Sequence, residues 1–263
     1  MKKILSVAVI LGLALGILSG CDKVQKTDKE YKEIVVFAAA SLQETLSGIA
    51  EKYTKSHDGV EIVFNFDSSG TLKTQIEEGA DCQVFVSAAQ KQMNELDEKG
   101  LINSGDRFDV VSNKCVLIVP AGNPAGIKGF DDVAAGSFKL MSLGNSDVPA
   151  GQYGQQVLES LGCWDKLNND GKLTFASNVR EVLAQVEEGA VDCGIVYSTD
   201  AIVSGDKIEV IAEAPAGSHD DIIYPACTIA GAENYDEAKG FLEYLKSEDA
   251  VSIFEKAGFS IPE

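Results

Sequence analysis

The sequence predicts an α/β protein. Strand-like apolar runs alternate with segments of helical periodicity, and no Pro-rich or Gly/Ser-rich linker divides the chain beyond its N-terminal region. Apolar residues make up 45% of the 263 positions, enough to bury a substantial core. The strand-like runs cover residues 33–40, 60–66, 82–88, 115–121, 139–144, 173–177 and 193–198. Between the first two, Leu42, Leu46, Ile49, Ala50 and Tyr53 recur on one helical face. Val179, Leu183 and Val186 repeat the pattern at shorter range. Strand, helix, strand in this order predicts a mostly parallel sheet covered by helices on both faces. Ligands of such sheets sit at the carboxyl ends of strands, where the next helices begin.

Residues 1–32 stand apart from this pattern. Lys2 and Lys3 precede an apolar run from Ile4 to Leu18, and the tetrapeptide Leu18-Ser19-Gly20-Cys21 that closes it resembles a bacterial lipobox. The run is short for an uncut membrane span. The resemblance implies that residues 1–20 are a lipoprotein signal peptide and that Cys21 becomes a lipidated N-terminus, anchoring an extracytoplasmic protein to the membrane. Residues 21–32, charged and without apolar periodicity, then serve as a tether.

Loss of Lys2 and Lys3 takes the formal charge from −19 to −21. A chain this acidic, with no basic stripe, is not built for nucleic acid. Nor is it a general electrostatic trap for anions, so any anion site must use locally aimed dipoles. Cys82, Cys115, Cys163, Cys193 and Cys227 show no C-x-x-C spacing and sit mostly inside apolar runs, where a thiol acts as a small hydrophobe. They predict no metal site and leave disulfide pairing open.

Four strand-to-helix junctions stand out. In the first, Phe37 to Glu44, Ser41 and Glu44 have the spacing of a capping box. The second, Asp67-Ser68-Ser69-Gly70-Thr71-Leu72, has the same form, a strand end followed by small hydroxylated residues. In the third, Gly144 to Tyr153, Pro149 suits a first helical turn, while Ala150 and Gly151 leave backbone N–H groups unobstructed. The fourth, Ser177-Asn178-Val179-Arg180-Glu181, opens another helix. Each serine read alone is an ordinary cap. Converging on one cleft, the four helix starts would hold an anion through free N–H groups and positive helix ends, without Lys or Arg.

The collinear set Ala38-Ala39-Ala40-Ser41-Leu42, Ser68-Ser69-Gly70-Thr71-Leu72, Val148-Pro149-Ala150-Gly151-Gln152-Tyr153 and Gly194-Ile195-Val196-Tyr197-Ser198-Thr199-Asp200-Ala201 resembles the molybdate-binding proteins of molybdate ABC transporters. The likeness continues through Gly162-Cys163-Trp164-Asp165, Tyr224-Pro225 and the segment from Phe254 to Phe259. It implies a two-lobed periplasmic-binding-protein fold of type II, the Venus-flytrap arrangement, with the ligand between the lobes. On that basis residues 33–112 and 225–263 form lobe 1 and residues 113–224 form lobe 2, with crossovers near 111–115 and 222–226. The C-terminal helices return to lobe 1.

The resemblance also implies that Ser41, Ser69, Ala150, Val179 and Tyr197 hold the oxyanion, molybdate or tungstate, through its oxygens, with no direct protein ligand to the metal atom. Sites made of donors suit ions that are fully deprotonated near neutral pH. It further implies a monomer with no cofactor and no catalysis, working with an ABC permease and its ATPase. Asp67 departs from the small residue usual in the family, as does the stretch 79–89 from its usual acidic residues. The role of Asp67 stays open, as does discrimination among molybdate, tungstate and sulfate.

Three other readings compete. An enzyme lacks support: there is no G-x-S-x-G elbow, Walker loop or H-E-x-x-H, and the two histidines, His57 and His219, lie in polar surroundings. A receptor for sulfate or phosphate on the same fold is the nearest alternative. An anchored adhesion module is the third, in which the helix-start serines are plain caps.

Overall fold

The computed structural model describes residues 31–262. The expected signal peptide and the lipidation site Cys21 lie outside them, as does all of the tether except Tyr31 and Lys32. Lys32 belongs to the first strand, in register with Val60.

Two five-stranded sheets are built in succession. The chain enters the first through β1 (Lys32–Ala39), crosses α1 (Gln43–Ser56) to β2 (Val60–Asp67), and crosses α2 (Ser69–Glu77) to β3 (Val84–Val86). α3 (Gln90–Glu98) leads to β4 (Phe108–Asn113). Only Lys114 separates β4 from β5 (Cys115–Pro120), the first strand of the second sheet. There α4 (Phe130–Ala135), β6 (Met141–Gly144), α5 (Pro149–Ser160), α6 (Trp164–Asn169), β7 (Leu173–Ala176), α7 (Val179–Glu187), β8 (Cys193–Tyr197), α8 (Ser198–Ser204) and β9 (Ile208–Glu213) follow. β10 (Ile222–Thr228) returns to the first sheet and is followed by α9 (Tyr235–Tyr244) and α10 (Glu248–Lys256). The strand orders are β2-β1-β3-β10-β4 and β7-β6-β8-β5-β9.

All seven expected strands are present. The sheets are mixed rather than mostly parallel, because β10 runs antiparallel to β3 and β4, and β5 runs antiparallel to β8 and β9. The antiparallel strands β4, β9 and β10 carried no clean alternation in sequence. β4 and β9 are edge strands, with only partial burial along their length. β10 is interrupted at Pro225, which cannot donate to a ladder, and its register with β4 shifts between Tyr224 and Pro225. β10 pairs with β4 from Ile222 onward, so the first sheet takes up the returning chain a few residues before position 225.

Strand alternation sorts the core. Ile34, Val36 and Ala38 point to the face covered by α1 and the C-terminal helices, where Leu46, Ile49, Tyr53, Phe241 and Phe254 are buried. Phe37 points to the opposite face and packs with Leu72, Ile76, Phe85, Met93, Leu96 and Cys227. In the second sheet Leu117, Leu143, Ile195, Val157, Val182 and Val186 form the corresponding layers. The five cysteines at 82, 115, 163, 193 and 227 are buried free thiols. Burial pushes the Cys82 and Cys193 thiols up to about 12, so they stay neutral and act as small hydrophobes.

Candidate functional site

The carboxyl ends of β1 and β2 in one sheet face those of β6, β7 and β8 in the other. A small void lies at this meeting, lined by Ala39, Ala40, Ser41, Asp67, Ser68, Ser69, Ala88, Val148, Pro149, Ala150, Val179 and Tyr197. All five residues singled out in the sequence thus face one cavity, and all five are buried. A wider groove runs along α1 and β2, lined by residues such as Glu51, Glu61 and Phe64. It opens to solvent and gathers no helix starts.

Each junction presents its donors differently. Ser41 is not the cap of α1: it sits in a 3-10 turn, Ala40–Leu42, and the N-cap position of α1 falls to Leu42. The expected capping box with Glu44 is absent because both side chains are used elsewhere. Ser41 Oγ meets Tyr224 Oη at 3.0 Å, and Glu44 pairs with Arg180. At the second junction Ser68 is the cap, accepting from the Thr71 N–H at 3.1 Å. Ser69 is therefore released for the cavity as the first helical residue. Its Oγ accepts the Ala88 N–H at 2.9 Å, which leaves its single hydroxyl proton to donate.

Pro149 occupies the first turn of α5 as expected, and the Ala150 N–H belongs to that turn, where no intrahelical acceptor exists. Gly151 allows the helix to start this close to its strand, since a Cβ there would lie 2.1 Å from the Gly144 carbonyl oxygen. Asn178 caps α7 by accepting the Glu181 N–H at 3.1 Å, which places the Val179 N–H at the first position. Tyr197 ends β8, and its phenolic oxygen is buried without any hydrogen-bond partner. Burial, with Tyr224 and Tyr153 nearby, pushes that phenol well above its ordinary range, so it keeps its proton. A buried hydroxyl left unpaired costs about 1–3 kcal/mol. Here it lines the void, where a bound acceptor would satisfy it.

Asp67 also lines the void, but its Oδ1 is engaged by the Ser68 N–H at 2.7 Å and by Asn178 Nδ2 at 3.4 Å. The carboxylate orders the second junction and reaches across to the fourth. No Lys or Arg lines the cavity. Arg180 lies behind it, donating from Nε to the Ala40 carbonyl at 3.2 Å and pairing with Glu44 and with the fully buried Asp200. Desolvation pushes the Asp200 carboxyl up to about 6 despite the Arg180 charge and the Tyr197 N–H that donates to it.

The two halves touch directly around the void. The Gly70 N–H donates to the Asp147 carbonyl at 3.0 Å, and a Cβ on Gly70 would lie 2.2 Å from that oxygen. Asn178–Asp67 and Arg180–Glu44 are further links of this kind. Sequence reasoning placed Gly70 and Arg180 within the second and fourth junctions without giving either a role, and did not place Asn113 or Tyr224 in this region. The one available signal was Tyr224-Pro225 within the family likeness, since a tyrosine in an apolar strand needs a partner for its hydroxyl. Neither histidine approaches the void. His57 stacks on Tyr53 at 3.9 Å, and His219 meets the Tyr153 ring at 5.8 Å. Among the described residues no group of three or more His, Cys, Asp and Glu is placed to hold a metal ion.

Known proteins resemble this chain in sequence and fold. The family model described as bacterial extracellular solute-binding protein matches residues 34–260. A Bacillus subtilis (strain 168) relative named "Putative ABC transporter substrate-binding lipoprotein YvgL" is 38% identical over 263 residues, covering 99% of each chain. The molybdate-binding protein ModA of Haemophilus influenzae is 39% identical over 235 residues, 87% of this chain and 90% of that one. The solved periplasmic molybdate-binding protein of Azotobacter vinelandii superposes with a TM-score of 0.77 at 29% identity, covering 88% of this chain and 100% of that one. A chain matched over nearly all of its described length, with two mixed α/β sheets facing one donor-lined cavity, belongs to the bacterial extracellular solute-binding proteins.

Proposed function

We propose that this protein captures molybdate or tungstate outside the cytoplasm and delivers it to an ABC permease and its ATPase. The observation that carries the reading is the cavity itself. Ser41, Ser69 and Tyr197 bring hydroxyls to it, Ala150 and Val179 bring first-turn N–H groups, and the Tyr197 hydroxyl has no partner within the protein. Such a set suits the oxygens of a fully ionised tetrahedral anion, held with no protein ligand on the metal atom. The relatives named for molybdate support the same choice of anion.

In this reading residues 33–112 and 225–263 act as one lobe and residues 113–224 as the other. Ser41 and Ser69 then belong to the first lobe and Ala150, Val179 and Tyr197 to the second. Binding favours the closed form because only closure brings both donor sets to one ion. The mature protein works as a monomer, without cofactor or catalysis, tethered by a lipid on Cys21. The lipoprotein name of the Bacillus relative supports the anchor.

Isothermal titration with molybdate, tungstate, sulfate and phosphate tests the function. Tight binding of molybdate and tungstate, with weaker sulfate and phosphate, is expected. A preference for phosphate, or no response to any of the four, overturns the assignment. Mass spectrometry of the membrane-extracted protein tests the anchor, which predicts a diacylated N-terminus at Cys21.

A further inference from the structure

Ser41 has one hydroxyl proton, and its neighbours determine where that proton points. Its Oγ lies 3.0 Å from Tyr224 Oη, a contact in which either oxygen can donate. Tyr224 Oη is also 3.3 Å from Asn113 Nδ2, which can only donate. The orientation of the Asn113 amide is set independently. Its Oδ1 accepts the Lys114 main-chain N–H at 2.9 Å and the Ser198 hydroxyl at 2.9 Å, while Nδ2 also donates to Thr199 Oγ1 at 2.9 Å. The Tyr224 oxygen therefore accepts from Asn113, and its own proton is left for Ser41 Oγ. Tyr224 is fully buried, and burial holds its phenol well above the ordinary range, so the proton is retained.

We propose that Tyr224 is a positioning residue that donates to Ser41 Oγ and so commits the Ser41 proton to the cavity. Ser41 then donates to a bare oxygen of the anion, and an anion O–H placed opposite it would leave the Ser41 proton without an acceptor. The inference rests on reading the cavity as an oxyanion site, and it adds a means of rejecting protonated anions such as hydrogen phosphate. Ser69 supplies the internal comparison. There the lock is the Ala88 main-chain N–H, which no side-chain substitution can remove. At Ser41 the lock is a side chain lying outside the cavity lining. Asn113 closes β4 at one crossover, and Tyr224 lies in β10 beside the other, so the strands that join the two sheets also set the polarity of the site.

Tyr224→Phe keeps the ring and its packing against Tyr197 and Phe259. Asn113 Nδ2 keeps Thr199 as an acceptor. The test is titration of the full chain in detergent with molybdate and with phosphate between about pH 5.5 and 8.5. It compares wild type, Tyr224→Phe, Ser41→Ala and the double variant. Tyr224→Phe is expected to weaken molybdate about tenfold, to narrow the molybdate-over-phosphate ratio, and to have no added effect once Ser41 is alanine. Asn113→Ala approaches from the other end: it frees the Tyr224 oxygen to accept from Ser41, so the same ratio should narrow.

Wild-type discrimination in both Tyr224→Phe and Asn113→Ala would overturn the proposal. So would an equal loss from Tyr224→Phe with and without Ser41. If wild type binds sulfate or phosphate but not molybdate, the functional reading fails, and the relay is judged by the same cycle with the anion that binds. Failure of wild type to bind any of them overturns both.

Discussion

Tyr197 separates stability from binding at a single atom. Its hydroxyl is buried and has no hydrogen-bond partner within the protein, so Tyr197→Phe removes a donor that no other residue of the fold depends on. The unliganded variant should melt at the wild-type temperature or slightly above it, a gain of up to about 1 kcal/mol, while molybdate affinity falls at least tenfold. Thermal melts with and without molybdate check both halves; a large loss of stability in the unliganded variant would contradict the assignment. Ser69→Ala should differ, because Ser69 Oγ also accepts the Ala88 N–H. It should lose about 10- to 100-fold in affinity, as expected for hydrogen bonds to a charged group, and about 1 kcal/mol of stability from the stranded amide. The same logic distinguishes Ser68, which caps α2, from Ser69, which does not. Adjacent serines look interchangeable in sequence, and only the local helix start assigns one to structure and the other to the cavity.

Helix starts decide how the two halves meet. Gly70, second in α2, approaches the Asp147 carbonyl so closely that any side chain would collide with main chain, which cannot swing aside. Gly70→Ala should fold normally yet hold the halves apart, lowering molybdate affinity about 100-fold. Small-angle scattering should show compaction on molybdate addition in wild type and none in this variant. A Gly70→Ala protein that binds and compacts like wild type would remove Gly70 from the closing contact. At the start of α7, Asn178→Ala removes a cap and the reach to Asp67, and should cost about 1 kcal/mol by denaturant unfolding.

At the scale of the whole molecule, the buried Asp200 makes the contact region sensitive to pH. Its carboxyl titrates at about 6 in the folded protein against an ordinary 3.8, because burial penalises the charged form more than Arg180 and the Tyr197 N–H compensate. Raised in the folded state, it contributes stability that is full below about pH 3.8 and is lost as pH rises through about 6. The shift corresponds to about 3 kcal/mol. Asp106, Glu77 and Glu187 have carboxyls held below their usual range by lysine and hydroxyl partners, and their contribution runs the other way. The test is therefore a difference. Wild type minus Asp200→Asn, measured by urea unfolding from pH 4 to 8, should fall with rising pH and level off above about 7. A flat difference would show that Asp200 is ionised throughout.

The sequence by itself determined the α/β class, the seven runs with clear apolar patterns, the buried faces of the helices and the four junctions rich in small residues. These depend on period and on local backbone chemistry, which a linear reading contains. The antiparallel strands β4, β9 and β10 were not legible, since edge exposure in two of them and Pro225 in the third blur any alternation. Tertiary structure alone decided that the junctions meet in one void, that Ser41 bonds Tyr224 rather than capping α1, and that Gly70 sits against Asp147. Each of these contacts joins residues far apart in the chain. Propensity and spacing act over a few residues, whereas the direction of a hydroxyl proton depends on which distant donor packs against it.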